Sequence, residues 1–212
     1  VRVTRAEAVH VLARDPALGA SLARLLAASG IEAVACPSAR ELLARVGAGG
    51  GCVLADVEAP GLDALCLRAD LERAGAAAAI VLLAPRAGAC PAGSALRSEG
   101  VELIEEPCEA SALVAAVERA LEALRSRAAA ASGHRDLERR LQALTRRERE
   151  VFALVTAGLA NKSIAARLGA SEKTVKIHRG RVMRKMGAET LAHLVRMAEA
   201  LAPALSVPGP SV

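Results

Sequence analysis

The sequence predicts an α/β domain, a doubly wound five-stranded parallel sheet, followed by a smaller all-α domain. Three observations predict it. Short apolar, β-branched runs alternate with helical stretches through the first half, and then strand-like runs cease. The early runs are apolar almost throughout, which marks parallel strands covered on both faces. Charge divides at the same place: residues 1–133 hold 13 Arg, no Lys and 16 Asp or Glu, net −3, whereas residues 134–212 hold 15 Lys or Arg and 7 acids, net +8. A mildly acidic half joined to a basic half fits a control domain attached to a domain that binds a polyanion.

The elements follow in order. Residues 1–7 are a loose start. Ala8–Ala13 is a buried strand. Asp15-Pro16 opens a helix, with Asp as cap and Pro in the first turn; apolar residues at 18, 22, 25 and 26 give it one face, and Gly30 closes it. Ile31–Ala35 is the second strand, and Ser38 caps a helix through Val46. A glycine-rich turn at Gly47–Gly51 leads into Cys52–Asp56, a strand that ends in a carboxylate. A helix follows over Asp63–Arg73, then a strand at Ala79–Ala84, a helix at Pro91–Glu99, a strand at Val101–Ile104 and a helix at Glu109–Leu124. In such a sheet, ligand chemistry belongs at the carboxyl ends of the strands. Those ends carry Ala13-Arg14-Asp15, Asp56, Ala84 and Glu105-Glu106-Pro107.

The domains are therefore set at 1–125, a linker at 126–140, 141–202, and a disordered tail at 203–212 with three prolines. The linker's Ala/Ser-rich run can continue the preceding helix before breaking at Gly133, and a short helix over Asp136–Ala143 leads into the second domain.

Thr145-x-x-Glu148 is a capping box for the first helix of that domain, with Val151, Phe152, Leu154 and Val155 facing inward and Gly158 at its end. Asn161 caps a short helix with Ile164, Ala165 and Leu168 inward. Gly169-Ala170 makes a turn, and Ser171 caps a long helix from Glu172 to Met186. Val175, Val182 and Met186 fall on its inner face. The opposite face carries Lys173, Lys176, Arg179, Arg181, Arg184 and Lys185 against one acid, Glu172. A solvated helix mixes its charges, whereas a one-signed face after a tight helix turn fits the major groove of double-stranded DNA.

Composition excludes other classes. Phe152 is the single aromatic residue of F, W or Y type, so the core is built from Leu, Val, Ile and Ala and stacking platforms for single-stranded nucleic acid are missing. No apolar run reaches the ~18 residues of a membrane span, and no signal-peptide pattern opens the chain, so a cytoplasmic protein is expected. Five cysteines without CxxC spacing read as reduced structural thiols, with a redox or metal role as the alternative. Four scattered histidines make no metal site, and no nucleophile–base constellation or phosphate loop is visible, so neither a catalytic residue nor a cofactor is expected.

The first half resembles a response-regulator receiver domain of flavodoxin-like fold. The residues that carry the resemblance are Asp56, the following Ala59–Leu65 segment and the Glu-Glu-Pro at 105–107. The resemblance implies a phosphoacceptor at Asp56, an acidic pair after the first strand that holds Mg²⁺, and phosphoryl-binding Thr or Ser and Lys after the fourth and fifth strands. This chain departs from that pattern: the acidic pair falls on Ala13 and Arg14, with Asp15 a displaced ligand or a helix cap, the Thr/Ser position on Ala84, the Lys position on Glu106 and the aromatic switch position on Leu103. The expectation is a degenerate receiver in which Arg14 lies near Asp56 and supplies the positive charge. Mg²⁺ enters only if the receiver is active. Leu103, Ile104 and the Val114–Leu121 face serve either a dimer contact or the domain's own core.

The second half closely resembles the LuxR-type helix-turn-helix, through LTRREREV (144–151), GLANKSIA (158–165), SEKTVKIH (171–178), VMRKM (182–186) and AHLVRMA (192–198). Together the halves resemble a FixJ/NarL-type response regulator. The family implies a four-helix domain with residues 190–201 as the last helix, a dimer, and base-facing positions at Lys176, Ile177 and Gly180. Lysine donates to guanine and Ile177 touches a thymine methyl, whereas Gly180 has no side chain to offer. Lys162, Lys173, Thr174, Arg179 and Arg181 are expected at phosphates, Ser171 is expected among the DNA-binding residues as well as capping the helix, and His178 is expected as a packed structural residue.

The leading expectation is a dimeric DNA-binding transcription regulator whose receiver half is not phosphorylated by the ordinary Mg²⁺-dependent route. The alternatives are a conventional two-component regulator phosphorylated at Asp56 by a histidine kinase, and a partner-binding module that masks the DNA-binding half.

Overall fold

The computed structural model describes residues 8–85 and 101–201. The chain forms two compact units, 1–128 and 129–212.

The first unit holds five parallel strands in the order β2-β1-β3-β4-β5: β1 (Val9–Leu12), β2 (Ala33–Ala35), β3 (Gly51–Asp56), β4 (Ala78–Pro85) and β5 (Glu102–Glu106). Helices α1 (Pro16–Ala28), α2 (Ala39–Gly49), α3 (Leu67–Arg73) and α4 (Ala110–Gln142) accompany them. Successive strand residues point to opposite faces, so the apolar strands feed two cores. Val9, Val11, Cys52, Leu54, Val81 and Leu83 pack with Leu26 of α1 and Leu113, Val117 and Leu121 of α4. Val53, Ala55, Ile80 and Leu82 pack with Leu42 and Val46 of α2 and Leu67 and Leu71 of α3.

Local chemistry sets the element ends. Asp15 caps α1 by accepting from Ala17 N–H at 2.9 Å, with Pro16 in the first turn. Ser38 caps α2 by accepting from Glu41 N–H at 3.3 Å. Gly51, at φ +127°, opens β3 where a Cβ would stand 2.6 Å from Ala8 O, so only glycine fits.

Four expectations about the elements are corrected or bounded. The helix predicted from Asp63 begins at Leu67, because Asp63 Oδ1 accepts from Leu65 and Cys66 N–H and holds a turn there. The fifth-strand and fourth-strand ends each extend by one or two residues, and the second strand shortens. The break expected near Gly133 is absent: α4 runs unbroken to Gln142 through the stretch assigned to a linker, and Leu137 and Leu141 at its end pack on the core of the second unit. The Pro91–Glu99 helix, Cys90, residues 1–7 and the 203–212 tail lie outside the described residues. Leu103, Ile104 and Val114 are half-buried and pack against the sheet's two cores, while Val117 and Leu121 are buried.

The second unit is helical: α5 (Arg146–Thr156), α6 (Asn161–Leu168), α7 (Glu172–Met186) and α8 (Leu191–Ala200). Phe152, Val151, Val155, Ile164, Val175, Val182, Met186, Leu194 and Leu201 form its core. Both bonds of the Thr145/Glu148 capping box are made, Ser171 caps α7 and Thr190 caps α8. Gly169 turns α6 into α7 in the left-handed conformation. Asn161 is not the cap of α6; Ala160 holds that position, and the Asn161 side chain is used elsewhere.

Candidate functional site

The strand order reverses between β1 and β3, and ligand sites in open parallel sheets form at that switch point beyond the strands' carboxyl ends. Register puts Leu12 beside Ala55, so residues 13–14 leave β1 next to Asp56 as it ends β3. Asp56 is fully buried, and its Oδ1 accepts from Glu58 N–H at 2.9 Å. Its Oδ2 lies 2.9 Å from Arg14 Nε, an ion pair whose angle falls outside that of a hydrogen bond.

The same guanidinium serves two further carboxylates. Arg14 Nη1 donates to Glu58 Oε2 at 2.9 Å, and Nη2 donates to Glu106 Oε2. One cation thus bridges carboxylates from the ends of β3 and β5 and from the turn after β3. The Glu106 hydrogen bond, followed by the Asp56 charge, pushes the Arg14 pKa above its already high ordinary value, so the group stays charged at every working pH. Three anions this close repel unless a cation stands among them.

The other positions of that site carry no phosphoryl-binding chemistry. Ala13 and Ala84 are buried methyl groups. Asp15 spends its Oδ1 on the α1 cap. Glu106 stands beside Pro85 in register and precedes a cis peptide bond to Pro107. Among the described residues, no group of three or more His, Cys, Asp or Glu is arranged to hold a metal ion. Glu58 was not legible as part of the cluster; only its place two residues after Asp56 hinted at it.

On the helical unit, α7 presents Lys173, Lys176, Ile177, Gly180, Arg181 and Arg184 on one exposed face. Lys173, Lys176, Arg181 and Arg184 form no ion pair among the described residues, so their charge is available to a polyanion. Ile177 is 49% exposed, a large apolar side chain left in solvent at the centre of a basic face. Lys162 is exposed on α6. Ser171 accepts from Thr174 N–H at 3.1 Å, and the two hydroxyl oxygens lie 2.9 Å apart, so both belong to the start of the helix as well as to its outer face.

Two cations expected on that face are turned away from it. Arg179 is half-buried and its Nη1 donates to Asn161 Oδ1 at 3.1 Å, tying α7 to α6. Lys185 Nζ donates to Glu148 Oε2 at 2.6 Å and to Ala143 O at 3.1 Å. The Lys185 bond and the Thr145 N–H hold the Glu148 carboxyl down at about 2. His178 is half-buried with its Nδ1 enclosed and without a partner among the described residues. Neither pairing was visible in the sequence, because the partners are 18 and 37 residues apart.

Cys36, Cys52, Cys66 and Cys108 are free, and their thiols are all pushed up, Cys52 to about 12 by burial. None is poised as a thiolate nucleophile or metal ligand. No helix among the described residues is long and apolar enough to cross a membrane.

Comparison with known proteins bears on both units. Residues 142–198 match the family described as bacterial regulatory proteins, luxR family. The chain is 36% identical over 191 residues to the transcriptional regulatory protein FixJ of Azorhizobium caulinodans, covering 90% of each chain. It is 36% identical over 194 residues to nodulation protein W of Bradyrhizobium diazoefficiens, covering 91% of this chain and 86% of that one. The solved structure of the response regulator StyR superposes with a TM-score of 0.77 at 31% identity, covering 91% of this chain and 98% of that one.

Proposed function

The chain belongs to the FixJ-type response regulators, and from that premise we propose that its receiver half is held by the Arg14 guanidinium in place of a divalent cation and is not switched by ordinary Mg²⁺-dependent phosphorylation. The protein is a response-regulator transcription factor with a LuxR-family DNA-binding domain. Its partner in this reading is double-stranded DNA, met by a pair of chains with α7 in the major groove.

The observation that carries the receiver reading is the bridging of Asp56, Glu58 and Glu106 by one arginine. A phosphoryl group brings negative charge onto a carboxylate, and a receiver offsets that charge with a metal ion and a lysine. Here the offsetting charge is covalently part of the chain, Glu106 adds an anion where the lysine belongs, and Ala13 and Ala84 supply no ligand. The donor set does not fit Mg²⁺, because the acidic pair that would hold it is Ala-Arg and Asp15 is committed to a helix cap. The receiver's state is then set without a cofactor, by assembly or by a protein partner.

The conventional reading, phosphorylation by a histidine kinase, keeps one observation in its favour: Asp56 itself stands at the end of β3. Incubation with a small phosphodonor and Mg²⁺, followed by intact-mass measurement, separates the two. No mass gain is expected. A stable gain of one phosphoryl group that disappears in Asp56→Asn would establish the conventional reading.

A further inference from the structure

The C-terminus of α7 is closed by a side chain from the element before the helix-turn-helix. Arg140, near the end of α4, donates from Nη1 to Met186 O at 2.9 Å. Its Nη2 is held 2.8 Å from Asp136 Oδ2, one turn earlier on the same helix. Gly187, the left-handed cap of α7 at φ +70°, leaves room for the guanidinium; a Cβ built there would collide with it. Lys185 adds a second tie from α7 to the same region through Ala143 O and Glu148. A cation at this place is favoured, because the last carbonyls of a helix lack partners and the helix dipole is negative there.

We propose that Arg140, oriented by Asp136, is a positioning residue for DNA binding: it fixes the end of α7 and thereby the pose of the exposed Lys173–Arg184 face. The proposal rests on the DNA-binding reading given above. The last turns of α4 are then part of the DNA-binding unit, although Asp136 and Arg140 precede the 142–198 segment that matches the family. Arg140 acts here through Met186 O and Asp136, and the salt dependence of binding separates that role from a direct phosphate contact.

A single bond at a partly exposed helix end contributes little to global stability. Readout of base edges depends on sub-ångström placement of the helix that carries them. Removing Arg140 should therefore move DNA binding more than it moves unfolding.

The test uses the full chain with two probes, a short duplex enriched by the unmutated protein from a randomised pool and a random-sequence duplex. Dissociation constants are measured over a range of salt concentrations, with thermal unfolding in parallel. Arg140→Ala should weaken binding to the enriched duplex by roughly three- to tenfold. The preference over random sequence should narrow, and the slope of log K against log salt should stay unchanged. Arg140→Lys should recover part of the loss, because an ammonium still reaches the carbonyl, and Asp136→Asn should weaken binding in the same direction. Unchanged affinity in Arg140→Ala would overturn the proposal. So would a slope shallower by about 0.9, which marks a lost phosphate contact, or a loss explained wholly by a larger unfolded fraction. If the unmutated chain enriched no duplex, the DNA-binding reading itself would fall, and this one with it.

Discussion

Glu148 accepts from Thr145 N–H at 2.8 Å to close the capping box and from Lys185 Nζ at 2.6 Å to tie α5 to α7. Both contacts favour the carboxylate, and its pKa in the folded chain falls from 4.5 to about 2. A carboxyl with a depressed folded value binds fewer protons folded than unfolded, so its stabilisation is complete above about pH 4.5 and is lost as pH falls toward 2. The contribution at neutral pH is on the order of 2–3 kcal/mol. Glu148→Gln should remove it and flatten the acid limb of the helical unit's unfolding curve, measured by denaturant melts at stepped pH. An unchanged acid limb would deny Glu148 this role. The cap half of the arrangement was legible in Thr-x-x-Glu; the Lys185 half was not, because a basic helical face read in one dimension gives no reason to separate Lys185 from Arg184. At Arg14 the case is similar. The spacing from the first strand placed it near Asp56, but nothing in the spacing placed Glu58 and Glu106 on the same guanidinium.

Among the elements, α7 carries the clearest function. Its capping serine follows from local turn chemistry, and its inner Val175, Val182 and Met186 and its outer Lys173, Lys176, Arg181 and Arg184 take the places the helical period assigns, whereas Arg179 and Lys185 do not. Lys176→Ala should cost roughly 1–3 kcal/mol on the preferred duplex and relax its sequence preference, as a lost base contact does. An equal loss on every duplex would demote Lys176 to a phosphate contact. Arg179 belongs to a different class from its neighbours, since Asn161 already holds it. The helix α4 shows the opposite balance. Its first four turns were legible from apolar spacing; the sequence left continuation to Gly133 open, and the run past Gly133 was not legible, because residues 125–133 are exposed on every side and show no apolar face to read. Alanine's high helix propensity carries that stretch, and one glycine costs only about 1 kcal/mol against it.

For the whole molecule, each unit has its own core, and the helical one draws Leu137 and Leu141 from the end of α4. A fragment of residues 134–212 therefore keeps those contacts together with Asp136 and Arg140, whereas a cut at 141 would discard most of them. In the proposed dimer the receiver half pairs two chains and raises the effective concentration of the second α7, so the intact chain is expected to bind its preferred duplex more tightly than this fragment. Tighter binding by the fragment would instead establish masking. Comparison of the two by equilibrium titration decides it.

The sequence by itself determined the α/β class of the first unit and the helical class of the second, the order of the described strands, the carboxylate at the end of β3 and the basic helix, because periodicity, caps and turn residues are local properties. Only the tertiary structure decided which charges are spent and which remain available. Arg140, Arg179 and Lys185 look like the other cations of the sequence, and spacing reaches Arg14 only as a neighbour of Asp56; what distinguishes each is a partner brought within reach by folding: Met186 O, Asn161, Glu148 and, for Arg14, Glu106. Those contacts span from 18 to 92 residues of chain, and no local pattern encodes them.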